Sequence, residues 1–169
     1  ILVKPKSGRP ISKKITEITG ITNRQLRADG HAWEEAYAQF YNWLFEVMKN
    51  QENITLVSHN GDTFDFVFFK GMLKDLSEIV DTVNIDIDKI HFHDTLPLSK
   101  RLYPGRTYYN QPSLARTFNI IIDGAHRAMA DVIVLEQLYL KLLTDFKIHT
   151  KIDGLEDPKK VRDYIDLKI

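Results

Sequence analysis

The chain contains no cysteine, which excludes disulfides and thiolate metal sites and fits any redox compartment. It has no charge imbalance either, since 23 basic and 23 acidic side chains cancel. No global field draws it to a polyanion, so any such site has to be a local feature. An unbroken apolar run of about 18 residues, the length of a membrane helix, is missing as well. So is a signal peptide, and an intracellular setting without a membrane partner is the expectation. Internal repeats and low-complexity segments are also lacking. What is present is ordinary for a globular chain: 169 residues, 43% hydrophobic and 27% charged, enough for one domain with a real core.

The stretch ITLVSHNGDTFDFVFF, residues 54 to 69, organises the rest. Ile54-Thr55-Leu56-Val57 is short, apolar and partly β-branched, and reads as a buried strand of a parallel sheet. It runs into the polar turn Ser58-His59-Asn60-Gly61, and a carboxylate, Asp65, follows amid aromatics. Open α/β sheets place their ligands just beyond the C-terminal ends of such strands. Asn60-Gly61 is equally a hairpin turn, with Phe64, Phe66 and Phe68 alternating as a second strand. Pattern alone favours the parallel strand and leaves the hairpin as the alternative.

Local signals organise the flanks. Ile1 to Lys4 reads as a strand. Lys4, Lys6, Arg9, Lys13 and Lys14 all precede the first acid, Glu17, and form either a solvated loop or a phosphate-facing patch. Ser12 to Gly20 predicts a short helix closed by glycine. Trp33, Ala36, Tyr37, Phe40, Leu44 and Val47 recur at helical spacing and predict an amphipathic helix over 31–49, packed on the sheet. A helix over 64–77 is expected to turn Phe64, Phe68 and Leu76 inward. Asp81, Asp86 and Asp88 fall in a polar connector that lacks the glycine and terminal glutamate of a calcium loop. Ile90 to His93 reads as the next strand, followed by Asp94 as helix cap or metal ligand. Arg106, Tyr108 and Tyr109 lie in a loop, where they either stack on a nucleic-acid strand or are simply exposed. Val132, Leu135, Tyr139 and Leu142 predict a helix over 127–145, and Asp157-Pro158 begins another.

Two segments together resemble a known family. His59-Asn60-Gly61-Asp62-Thr63-Phe64-Asp65 and His126-Arg127-Ala128-Met129-Ala130-Asp131 resemble the second and third motifs of the DEDDh group of metal-dependent 3′–5′ exonucleases. Those motifs read His-Asn, spacer, aromatic-Asp and then His-x-Ala-x-x-Asp. The longer spacer is similar to that of the three-prime repair exonucleases, and the His-Arg-Ala start to that of polymerase-proofreading domains. The resemblance implies an α/β, ribonuclease H-like fold, a mixed central sheet flanked by helices, with its first two strands not among these residues. It implies an exonuclease domain over 1–146 and a C-terminal extension over 147–169. Asp94 resembles the family's strand-to-helix junction, which favours the cap, and Gln111 to Phe118 its small helix before the third motif.

By the same resemblance Asp65 and Asp131 are ligands of two Mg²⁺ or Mn²⁺ ions, and His126 is the general base. Asn60 supports the turn or touches the terminal nucleotide, Asp62 is solvated, and Ile21, closing an Ile-x-x-x-Thr-Gly-Ile segment, leads to the substrate cleft. Five residues would set His126 and Asp131 about 140° apart on a helix, so His126 belongs on the loop entering it. The implied substrate is a single-stranded or frayed nucleic acid 3′ end, DNA ahead of RNA, with nucleoside 5′-monophosphates as products. The family's first motif, Asp-x-Glu, does not occur in these residues and is expected upstream of Ile1. Without it, the 169 residues alone are expected to bind Mg²⁺ weakly, to aggregate and to degrade nothing. A catalytically inactive nucleic-acid-binding domain of the same fold and an RNA-trimming exonuclease are the alternative readings. The oligomeric state stays open, a homodimer included.

Overall fold

The computed structural model describes residues 1–80, 84–121 and 128–167. The chain falls into two compact units, Ile1–Gln51 with Gly71–Ile85, and Glu52–Lys70 with Asp86–Ile169. In the first unit, local capping signals set the helices. Helix α1 (Lys13–Thr19) begins where Ser12 accepts a hydrogen bond from the Ile15 N–H and ends at Gly20 in the left-handed region, as expected. Helix α2 (Asn23–Asp29) was not anticipated. Thr22 and Gln25 start it with a reciprocal capping box, a signature legible in the sequence. Helix α3 (Trp33–Met48) buries Ala36 and Leu44 of the expected stripe, while Phe40 and Val47 remain exposed. Instead of a full strand, Ile1 to Lys4 makes an isolated parallel bridge between Val3 and His31.

In the second unit, strand β1 (Ile54–Ser58) lies parallel to β2 (Ile90–Asp94), in register from Ile54 beside Ile90 to Ser58 beside Asp94. The hairpin reading fails. A 3₁₀ turn (Gly61–Thr63) leads from β1 into helix α4 (Asp65–Ser77), the crossover that a parallel pair requires; the helix belongs to this unit through Lys70 and to the other from Gly71. Residues 54–57 are half-buried rather than buried, and only Ser58 is closed off. The inward face of α4 also differs from expectation. Phe66, Phe69, Met72 and Leu76 are buried, whereas Phe64 and Phe68 are 58% and 63% exposed. Phe64 precedes the helix, and Phe68 sits about 200° around the axis from Phe66, on the opposite face.

Helices α5 (Thr95–Leu102), α6 (Gln111–Thr117), α7 (Ala128–Thr150) and α8 (Pro158–Asp166) complete this unit. Leu98, Leu114, Leu138, Leu142, Phe146, Val161 and Ile165 form its core, each worth about 1.5–3 kcal/mol over an exposed position. Asp157 caps α8 and Pro158 occupies its first turn, as the sequence indicates. No described helix is long and apolar enough to cross a membrane.

One buried polar connection joins three of these elements. His93 of β2 is fully buried, with Nδ1 2.6 Å from the Tyr139 hydroxyl of α7 and Nε2 2.8 Å from the Pro158 carbonyl. A carbonyl only accepts, so Nε2 carries the proton and Nδ1 accepts from Tyr139. Burial pushes the Tyr139 phenol upward, which keeps it a donor. Burial also lowers the His93 pKa from 6.5 to about 4, helped by the charges of His91 and Arg162 and opposed by the Pro158 hydrogen bond. As pH falls, the unfolded chain therefore takes up this proton first. The stability that neutral His93 contributes is fully present above its unfolded pKa and is lost as pH drops towards the folded one. Urea unfolding of the protein between pH 7 and pH 4 should show a fall of up to about 3 kcal/mol from this group. The fall should be flattened in His93→Gln. Equal pH slopes in the two proteins would refute the assignment.

Candidate active site

The site is built outward from the turn that follows β1. Asp94, at the end of β2, is 2% exposed. It accepts three backbone N–H bonds: Asn60 at 2.8 Å and Leu96 at 2.9 Å on one oxygen, Asp62 at 3.0 Å on the other. The Leu96 bond is the expected cap of α5. The other two bind the carboxylate to the polar turn and leave the buried charge fully engaged. Asn60 takes the left-handed conformation, φ 67°, which its short polar side chain tolerates. Gly61 follows because nothing larger fits: a Cβ there would lie 2.6 Å from Ser58 Cβ and 2.7 Å from the Phe66 ring.

This turn delivers Asp65 to the head of α4, where the helix dipole favours a carboxylate. Asp65 is exposed, and the hydroxyl of buried Ser58 donates to its Oδ2. His59 Nδ1 lies 2.9 Å from Thr95 Oγ1. Burial lowers the His59 pKa, outweighing the Asp94 charge and the Tyr109 backbone, which act the other way. A largely neutral imidazole next to the turn is the result.

Asp131 is exposed in the first turn of α7, and its backbone carbonyl accepts from Gln111 Nε2 of α6 at 2.7 Å. Asp65, Asn60 and Asp131 thus belong to the same compact unit. Ile21 belongs to the other unit, half-buried between α1 and α2, with its N–H donating to Thr19 Oγ1 at 3.2 Å. His126 lies outside the described residues. Among the described residues no three His, Cys, Asp or Glu side chains gather closely enough to hold a metal. The exposed carboxylates of Asp65 and Asp131 nevertheless have the donor chemistry of a hard divalent cation, which takes oxygen ligands.

Several neighbouring groups do other than the sequence indicates. Asp62 is not simply solvated: Arg162 Nη1 holds it at 2.8 Å, donates to the Phe92 carbonyl at 3.2 Å, and Nε holds Asp166 at 2.8 Å. The Tyr109 hydroxyl donates to the Tyr103 carbonyl at 2.7 Å and accepts from the Arg106 N–H at 3.1 Å, so its role is local support. Tyr108 is 65% exposed. Sequence reasoning missed Ser58, Gln111 and Arg162. Their partners lie 7, 20 and 100 residues away, beyond any local pattern.

Comparison with known proteins agrees with the motifs. The exonuclease family model RNase_T matches residues 1–139. The chain is 31% identical over 169 residues to the DNA polymerase III PolC-type of Thermotoga petrophila, covering 99% of this chain and 11% of that protein. It is 32% identical over 137 residues to the DNA polymerase III PolC-type of Bacillus subtilis, covering 81% of this chain and 8% of that protein. The chain therefore spans about a tenth of the length of the curated relatives it matches. With that match over most of its length and an α/β fold consistent with a ribonuclease H-like exonuclease, the chain belongs to the RNase_T exonuclease family.

Proposed function

We propose that this chain forms part of a metal-dependent 3′–5′ exonuclease that hydrolyses the terminal phosphodiester of single-stranded or frayed DNA and releases nucleoside 5′-monophosphates. The observation that carries the reading is Asp65, exposed at the head of α4 on a turn fixed by buried Asp94, with Asp131 exposed at the start of α7 in the same unit. Kinship with PolC-type DNA polymerases supports DNA as the substrate and proofreading as its setting.

In this reading Asp65 and Asp131 hold Mg²⁺ or Mn²⁺ through carboxylate oxygens. Such ions, when bound, supply an activated water and neutralise charge on the attacking and leaving oxygens. Ser58 fixes the Asp65 carboxylate through its hydroxyl, which leaves the second oxygen free for a ligand. His126 takes the proton from the attacking water, imidazole being the side chain whose ordinary range suits a general base near neutral pH. Asn60 supports the turn or touches the terminal nucleotide.

The test is a 5′-labelled single strand incubated with the intact protein and Mg²⁺. A ladder shortening from the 3′ end is expected. An internal cut, or attack on the labelled end, would overturn the proposal. His126→Ala should lower the rate by roughly 10²- to 10⁴-fold, as loss of a general base does, with the unfolding midpoint unchanged. Asp65→Ala should abolish metal-dependent turnover. A His126→Ala enzyme running at the wild-type rate would show that another group is the base.

A further inference from the structure

Not all of the basic residues near the start of the chain are free. In the first unit Lys6 is held by Asp75 at 2.7 Å and lies 4.5 Å from the centre of the Trp33 ring. Lys13 pairs with Glu17 at 3.6 Å on α1. Lys4, Arg9 and Arg27 are different. All three are exposed and line one concavity of about 200 Å³ that no carboxylate lines. Among the described residues, none of the three has an acidic side chain within ion-pair distance. In a chain of zero net charge this is a local cationic excess.

The frame around these cations is built rather than loose. Asn23 staples the loop to the head of α2, accepting from the Ile11 N–H at 2.8 Å and donating to the Ile11 carbonyl at 3.0 Å. The Gly8 N–H closes a turn on the Pro5 carbonyl at 2.9 Å, and Pro5 and Pro10 stiffen the loop at either side. The Lys4 backbone is fixed by its N–H bond to His31 at 2.9 Å. Its side chain passes directly over Gly30, where a Cβ would come 3.1 Å from Lys4 Cγ and 2.3 Å from the Leu26 carbonyl. Buried Leu26 backs the concavity. Three uncompensated cations on a stapled loop and helix suit a ligand that repeats its negative charge along a chain.

We infer that Lys4, Arg9 and Arg27 form a contact site for successive backbone phosphates of a single nucleic-acid strand. The inference rests on the exonuclease reading for the identity of its polyanion. Phosphate contacts of this kind carry no sequence information and make affinity fall with salt, by about 0.7 in log–log slope per phosphate on a single strand.

The experiment measures the affinity of the intact protein for oligodeoxythymidine in EDTA, where no hydrolysis occurs, over a series of salt concentrations. Three proteins are compared: wild type, the pocket triple Lys4→Ala/Arg9→Ala/Arg27→Ala, and a charge-matched triple, Lys13→Ala/Lys14→Ala/Arg24→Ala. The pocket triple should lose about 2 from the salt slope, and the matched triple should keep the wild-type slope. With Mg²⁺ restored, the pocket triple should show a raised KM on a long strand. Its turnover of a small aryl ester of thymidine 5′-phosphate should be unchanged. Equal slopes in the two triples, or a pocket triple with the wild-type slope, would overturn the phosphate site. A wild type with the pocket-dependent slope but no 3′ shortening would instead overturn the catalytic reading and leave the site standing. If the pocket triple loses its cooperative unfolding, Arg9→Glu alone, on an exposed loop, should lower the slope by about 0.7, and an unchanged slope would overturn the site.

Discussion

The buried carboxylate of Asp94 is the constraint on which the site depends. A charge that is 2% exposed persists only when its oxygens are engaged. Asp94 meets this condition by collecting N–H groups from two segments distant in sequence, the 60–62 turn and the start of α5. The same bonds satisfy the backbone donors of Asn60 and Asp62, on either side of Gly61. The geometry of the turn, and with it the position from which α4 starts, is thus set by a residue on the neighbouring strand. Asp65 inherits that position.

The second carboxylate is held by different means. Asp131 rides on the first turn of a long helix whose later turns are locked in the core by Leu138, Leu142 and Phe146. Tyr139, on the same helix, bonds the buried His93 of β2, whose other nitrogen reaches the start of α8. Gln111 fastens the Asp131 backbone to α6. Both candidate ligands therefore stand at helix starts backed by fixed elements, while their carboxylates remain open to solvent. Catalytic groups on rigid supports hold their geometry better than groups on free loops.

Much of this was legible in the sequence, for reasons that differ from element to element. Ser12, Gly20, Asp94 and Asp157 announced helix ends because capping is a bond between near neighbours. The parallel β1–β2 pair followed from two short apolar runs with a helix between them. The inward face of α4 was misread because FDFVFF offers an aromatic at nearly every angle, and only the true helix start, Asp65, fixes which ones turn inward. Helix α2 was missed although its capping box was readable, since seven residues leave little room for a hydrophobic period. The Asp62–Arg162 pair and the Ser58–Asp65 bond exist only once the fold has formed. The motif singled out Asp65, and tertiary structure supplied the Ser58 hydroxyl that bonds it.

The central claim is that Asp94, without touching a ligand itself, positions Asp65 to bind a hard cation. Titration calorimetry of Mn²⁺ on the intact protein, with wild type, Asp65→Asn and Asp94→Ala all confirmed folded at the working temperature, tests it directly. The account predicts weaker binding in both variants, the loss in Asp94→Ala falling in the 10- to 100-fold range roughly expected of outer-shell support. Wild-type Mn²⁺ affinity in folded Asp94→Ala would contradict it.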